Sequence, residues 1–267
     1  MGQDKAYKVL AKQENISNSK AKDLIDKGLV KVGDKKVLIA RGDISENTTF
    51  IVKEVAPIKV IFQDDDILAV DKPAFLTADE ISRKFPNYLL LNRLDKETSG
   101  VMLFAKNEEF QTRAIREFKN NNVYKEYVAI VEGKVIDEIV VDKPILTIKN
   151  NKGVARSKVD MKKGKSAKTT VYPMLIEGNK SKIKVVIDTG RTHQIRVHLA
   201  SIWFPIIGDK TYGNKRVNKE VATKFQLHRQ ALHAYELELE LYGENKKFTA
   251  PLKKDMQHIV DTFTITD

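Results

Sequence analysis

Residues 92 to 100 read Asn92-Arg93-Leu94-Asp95-Lys96-Glu97-Thr98-Ser99-Gly100 and run straight into the apolar stretch Val101-Met102-Leu103-Phe104. A polar turn feeding a continuous hydrophobic run describes a loop that brings charged groups to the end of a buried strand. Arg93 and Asp95 flank Leu94, so in extended backbone the two charged side chains share one face while Leu94 points to the core. Thr98 and Ser99 are expected to bond local backbone, and Gly100 to let the chain turn sharply into the strand. Taken alone, an aspartate before Lys-Glu-Thr is more often a turn or helix cap than a reacting group. Its meaning depends on the rest of the chain.

Outward from this segment the pattern is β-rich. Val60-Ile61-Phe62 and Ile67-Leu68-Ala69-Val70 are separated by Asp64-Asp65-Asp66, which reads as a turn. Further strands are expected at Tyr127–Val131, Val171–Ile176, Ile183–Ile187 and Leu237–Leu241, with helices at Glu108–Lys119 and near His193–Trp203. Strands joined mostly by short turns, with a few helices between them, predict an α+β domain over residues 60–267. Its sheet should be mixed and largely antiparallel, flanked by helices.

Residues 1–55 form a separate unit by pattern. Tyr7, Val9, Leu10 and Ala11 mark a short helix. Ser17-Asn18-Ser19 starts a second, with Ala21, Leu24 and Ile25 at helical spacing and Lys20, Lys22 and Lys27 toward solvent. Gly28 suits the position just past that helix. Leu29–Val32 then predicts a strand, Gly33-Asp34 a turn, Val37-Leu38-Ile39 its partner, and Phe50-Ile51-Val52 a closing strand. Two helices feeding a hairpin, with lysines on the second helix, make a compact RNA-binding shape.

Composition narrows the classes. The net charge of +11 favours a polyanionic partner, nucleic acid first. The chain has no cysteine, which excludes disulfides and thiolate metal sites. No apolar stretch approaches the ~20 residues a membrane span needs, and the first residues lack the apolar core of a secretory signal. A cytoplasmic monomer without membrane contact is expected. His193 and His198 stand five apart, as do His228 and His233, where zinc-binding helices usually space such pairs by about four. No metal is expected.

Further runs give Asp95 its context: Asp71-Lys72-Pro73; Tyr124-Lys125-Glu126-Tyr127-Val128-Ala129-Ile130-Val131-Glu132-Gly133; Gly190-Arg191-Thr192-His193-Gln194-Ile195-Arg196-Val197-His198; and Pro205-Ile206-Ile207-Gly208-Asp209-Lys210-Thr211-Tyr212-Gly213. Leu232–Leu237 and Phe248–Leu252 close the series. In this order, over roughly residues 60 to 256, they resemble the RluA family of RNA pseudouridine synthases. The run ISNSKAKDLIDKGLVKVGDKK is similar to an S-four-type RNA-binding domain.

The resemblance implies isomerisation of uridine to pseudouridine in structured RNA, with large-subunit ribosomal RNA preferred over transfer RNA. A non-catalytic ribosome assembly factor is the competing class. The reaction breaks the bond from ribose to the base nitrogen and rejoins the base through a ring carbon, without redox change, so no cofactor is expected. By the same resemblance Asp95 is the catalytic carboxylate, which attacks the anomeric carbon, removes a ribose proton or attacks the base. Arg196 is its ion-pair partner, with a guanidinium fork suited to a carboxylate. Tyr127 stacks on the target base. Arg93 takes part in extruding the uridine, Arg191 holds phosphate or substitutes for Arg196, and His193 joins the RNA contacts. Lys72 either lines the entrance or is solvated. Asn92 stands where the family usually has histidine, and Phe75 where it commonly has glycine; Asn92 keeps a donor and an acceptor with which to order the loop.

Overall fold

The computed structural model describes residues 2–33, 35–52, 55–150 and 155–263. Asp34 and Glu54, from the expected turn and the bridge between the units, lie outside them. The chain separates into two compact units, residues 1–56 and 57–267.

The first unit comprises β1 (Gln3–Lys5), α1 (Ala6–Gln13), α2 (Asn18–Asp26), β2 (Val30–Val32), β3 (Lys35–Lys36), β4 (Asp43–Ser45) and β5 (Ile51–Val52). Helix α2 begins as its sequence dictates: the Ser17 hydroxyl accepts the Lys20 amide at 3.2 Å. It ends at Gly28, where φ is +66° and the amides of Gly28 and Leu29 return to the carbonyls of Ile25 and Leu24. Ala21 and Ile25 from α2 bury with Leu10, Val30 and Phe50 to form the core. Strand β2 pairs with β3 on one side and β5 on the other.

Two expectations need correction here. The partner of β2 is Lys35–Lys36, prolonged only by the Val37 amide bonding to the Val30 carbonyl. Leu38 and Ile39 leave the sheet and are exposed, because the chain bends so that the carbonyls of Ala40 and Gly42 accept the amides of Tyr7 and Ala6 at the start of α1. Nor do Lys20 and Lys22 of α2 and Lys27 just past its end all stand free. Lys20 is exposed, Lys22 lies 4.0 Å over the Tyr7 ring, and Lys27 pairs with Asp23 at 2.5 Å.

The second unit opens with β6 (Lys59–Gln63), β7 (Ile67–Lys72), α3 (Ala78–Ser82), β8 (Leu89–Leu90), β9 (Ser99–Ala105) and α4 (Glu108–Lys119). It continues with β10 (Tyr124–Glu132), β11 (Ile139–Asp142), β12 (Ile145–Lys149), β13 (Ala155–Val159), β14 (Lys168–Glu177) and β15 (Lys180–Ile187). Then come α5 (Gln194–Ser201), α6 (Lys215–Lys224), β16 (Leu232–Leu241), β17 (Glu244–Thr249) and α7 (Lys254–Val260). Ten strands form one sheet with the path β11-β14-β15-β10-β16-β9-β7-β6; β17 joins β16 and β8 joins β9. Every pairing in it is antiparallel except β9 with β16. This is the mixed, largely antiparallel α+β architecture that the strand pattern predicts.

The parallel pairing explains Gly100. Its φ is +116°, and a Cβ there would lie 2.1 Å from the Ala234 carbonyl oxygen. Gly100 sits inside β9, not in a turn before it, and its missing side chain lets two strands approach. Thr98 and Ser99 also reach across the fold and not to local backbone. The Thr98 hydroxyl accepts from Gln230 Nε2 at 2.7 Å, and the Ser99 hydroxyl pairs with His233 Nδ1 at 2.9 Å. Gly100 pairs with Ala234, and Ala234 with Tyr127. Three adjacent strands thus set the end of the Asp95 loop level with Tyr127.

Candidate active site

The Asp95 loop is held from behind by buried polar groups. Asn92 accepts the Leu103 amide through Oδ1 at 2.7 Å and leans its Nδ2 toward the Val101 carbonyl at 3.4 Å, so it orders the loop against β9 as donor and acceptor. The Lys96 carbonyl accepts from the Phe75 amide and from Lys72 Nζ, and the Glu97 carbonyl from Arg229 Nη1. Lys72 is fully buried, which corrects both the entrance and the solvated readings. Burial, reinforced by the nearby Arg229 charge and resisted by Asp95, pushes its pKa down to about 7. Phe75 holds φ at +75°, the left-handed region where a glycine fits without strain. Its amide nonetheless reaches Lys96.

Helix α5 supplies the cation. Arg196 Nη1 donates to Asp95 Oδ2 at 2.9 Å, while its Nε and Nη2 donate to Asp209 Oδ2 and Oδ1 at 2.6 and 3.0 Å. The two-pronged guanidinium edge therefore grips Asp209, and Asp95 receives a single bond. This revises the expected fork on Asp95. Burial opposes the Arg196 charge, but the bonds and charges of Asp209 and then Asp95 outweigh it, holding the guanidinium above its ordinary pKa. Asp209 is completely buried; burial favours its neutral form, yet Arg196 and the amides of Thr211 and Tyr212 hold it below the usual carboxylate value.

Asp209 occupies that place because of the residue before it. Gly208 has φ +78°, and a Cβ would fall 2.0 Å from the Arg229 carbonyl oxygen. The run Pro205-Ile206-Ile207-Gly208-Asp209 can therefore pass close beside the Arg229 segment and β10, where the Ile207 amide bonds the Ile130 carbonyl. In the sequence Asp209 is one residue of a longer run, with no role marked for it. The available signal was a glycine-aspartate pair straight after an apolar run.

Asp95, its side chain 27% exposed, opens onto a cavity lined by Arg93, Leu94, Tyr127, Arg191, His193, Ile195 and Arg196. Six of the expected site residues thus meet at one place: Asp95, Tyr127, Arg196, Arg93, Arg191 and His193. Lys20, Lys22 and Lys27 belong to the first unit. Arg93 is exposed beside the carboxylate. Arg191 Nε donates to the Ser166 carbonyl at 3.0 Å, so Arg191 does not pair with Asp95. Burial, and then the charge of Asp95, raise the Tyr127 phenol, which stays protonated. Tyr127 is half-buried and its hydroxyl takes no protein hydrogen bond among the described residues. Tyr124 instead donates to Glu126 at 2.7 Å. His198 and His233 are structural: the first bonds Thr169 and the Lys143 carbonyl, the second Ser99 and the Ala250 carbonyl. Among the described residues no group of histidines and carboxylates is arranged to hold a metal.

Chemically, this is one accessible carboxylate held against a permanent cation at the floor of a cavity, with a neutral phenol beside it. Asp209 is not a second working carboxylate, since both its oxygens are occupied.

Comparison with known proteins identifies the family. Residues 57–201 match the family model described as RNA pseudouridylate synthase. An "Uncharacterized RNA pseudouridine synthase" of Helicobacter pylori strain J99 is 48% identical over 236 residues, covering 88% of this chain and 96% of that protein. Ribosomal large subunit pseudouridine synthase D of Haemophilus influenzae is 30% identical over 284 residues, covering 92% and 86%. The solved structure of human RNA pseudouridylate synthase domain containing 1 superposes with a TM-score of 0.62 at 26% identity, covering 73% and 83%. With a family model matched over more than half of its length and a relative 48% identical along nearly all of that protein, the chain belongs to the RNA pseudouridylate synthase family and is an enzyme that isomerises uridine to pseudouridine in RNA.

Proposed function

We propose that this enzyme is of the RluA type and modifies large-subunit ribosomal RNA, with Asp95 as its reacting carboxylate. The observation that carries the catalytic assignment is the Arg196 contact: a carboxylate that opens onto a cavity is held by a guanidinium that is itself locked by Asp209. Attack on the anomeric carbon, removal of a ribose proton and attack on the base all require a carboxylate held near the sugar and shielded from water. Tyr127 presents a flat ring and a protonated hydroxyl to the extruded base. Arg93, exposed at the rim, compensates the few kcal/mol that unstacking costs. The resemblance to the synthase D proteins supports ribosomal RNA as the substrate class.

The first unit acts in this reading as an S-four-type RNA-binding domain. Its support is a helix pair joined to a three-stranded sheet, with Lys20 exposed at the start of α2.

Mapping pseudouridines across total RNA from cells with and without the gene tests both parts. Sites in large-subunit ribosomal RNA should disappear, return with the wild-type protein and stay absent with Asp95→Asn. Loss confined to transfer RNA would overturn the substrate class. Restoration by Asp95→Asn would overturn the catalytic assignment.

A further inference from the structure

His193 sits at the start of α5 in the left-handed region, φ +57°, with its side chain only 16% exposed. Its Nδ1 lies 3.0 Å from the Tyr212 hydroxyl, and its Nε2 lies 3.9 Å from Asp95 Oδ2. The protonation of the ring follows from its neighbour. The Tyr212 oxygen accepts the Ser157 amide at 2.8 Å. A phenol has one proton to give, and among the described residues His193 Nδ1 is the one acceptor placed for it. If Nδ1 carried a proton instead, the Tyr212 hydroxyl would face two donors and its own proton would have no partner. Tyr212 is itself fixed, because the Arg196 guanidinium lies 5.2 Å over its ring.

We propose that Tyr212 locks His193 as the tautomer carrying its proton on Nε2, and that this N–H joins Arg196 in holding Asp95 Oδ2, leaving Oδ1 as the reacting oxygen. This rests on Asp95 being the catalytic carboxylate. Oδ1 accepts no hydrogen bond among the described residues, whereas Arg196 Nη1 and the His193 imidazole both converge on Oδ2. The 3.9 Å separation shortens to a hydrogen bond once substrate displaces water, as catalytic contacts commonly do on binding. A neutral donor suits this position. It fixes the carboxylate's rotation without adding a second full charge that would blunt its reactivity. Burial holds His193 below its ordinary pKa; Asp95 opposes that, Arg196 reinforces it and Asp209 opposes it again. His193 is thus a positioning residue acting through Asp95, and Tyr212 positions His193.

The test combines imidazole nitrogen NMR on the full-length protein, above the histidine titration range, with single-turnover kinetics on substrate RNA. Wild type should show the His193 proton on Nε2, and Tyr212→Phe should release it to a mixture of tautomers. His193→Ala should slow the single-turnover rate by about 10- to 100-fold, the worth of one hydrogen bond to a charged group, with RNA affinity held within about threefold by the same convention. His193→Gln, which keeps an N–H at similar reach, should recover most of that rate. A proton on Nδ1 in wild type would overturn the proposal, as would a His193→Ala rate equal to wild type. A loss lying wholly in RNA affinity would overturn it too, making His193 an RNA contact. An active Asp95→Asn would instead defeat the catalytic reading itself, and the tautomer measurement would stand apart from it.

Discussion

Arg196 turns the two-pronged edge of its guanidinium onto Asp209 and spares only Nη1 for Asp95. The buried partner decides where the guanidinium lies, and Asp95 is placed by what remains. An Arg–carboxylate pair built with the fork on Asp95 would hold both its oxygens and leave none free to react.

Asp209→Asn tests this division of labour. The amide is nearly isosteric but uncharged, so Arg196 loses its anchor and is free to swing toward Asp95. Turnover should fall by about 10- to 100-fold with RNA affinity unchanged, the range expected for one lost charged hydrogen bond. Asp209→Ala should also lower unfolding free energy by about 3–5 kcal/mol, because a buried guanidinium is left without its partner. Denaturant titration alongside single-turnover assays separates the two effects. Equal turnover in Asp209→Asn and wild type would show that Arg196 needs no anchor.

Gly100→Ala should be among the most damaging small substitutions in the chain. Its Cβ would meet backbone, not a movable side chain, and φ is positive. A loss of more than about 3 kcal/mol is expected from the combined clash and strain. A thermal melt within a few degrees of wild type would contradict the close approach of β9 and β16.

Asn92→Ala should destabilise by about 1–3 kcal/mol, the usual cost of stranding a buried amide, here that of Leu103. Activity should fall further than stability, since the same bond sets the register of Arg93, Leu94 and Asp95. Asn92→Asp, which keeps the acceptor, should retain more of both. Equal losses in the two variants would remove the acceptor role.

Stability should decline below neutral pH because of His233. Burial depresses its pKa to about 4 from 6.5. The unfolded chain therefore takes up a proton near 6.5 that the native state refuses until about 4. The contribution is fully present above 6.5 and is lost as pH falls toward 4; its size is at most about 3 kcal/mol by linkage. Unfolding curves across that range, compared with His233→Gln, measure it directly. A wild-type slope no steeper than that of the variant would show that His233 is not the titrating group.

How far the sequence disclosed all this depends on locality. Asp95, Arg196, Tyr127 and His193 lie in short runs whose order is readable along the chain, and the strand periods around them announce a largely antiparallel sheet. The misjudged residues are those whose meaning lies across the fold. Gly100 resembles a turn glycine until Ala234 is beside it, and Thr98 and Ser99 read as partners of local backbone until Gln230 and His233 arrive from more than a hundred residues away. Lys72 and Asp209 are charged residues that become buried, which no hydrophobic periodicity signals. Leu38 and Ile39 carry a strand's pattern, but the carbonyls of Ala40 and Gly42 are drawn to α1 instead.

The pairing of Ser99 and Gly100 with His233 and Ala234 also has a consequence in time. During synthesis the ribosome releases the Asp95 loop long before the strand that seats it. Until β16 emerges, Thr98, Ser99 and Gly100 lack the partners they take at that edge. A contact of such sequence separation forms late, after most local structure. The Asp95 loop therefore reaches its final seat only as the last strands of the sheet close.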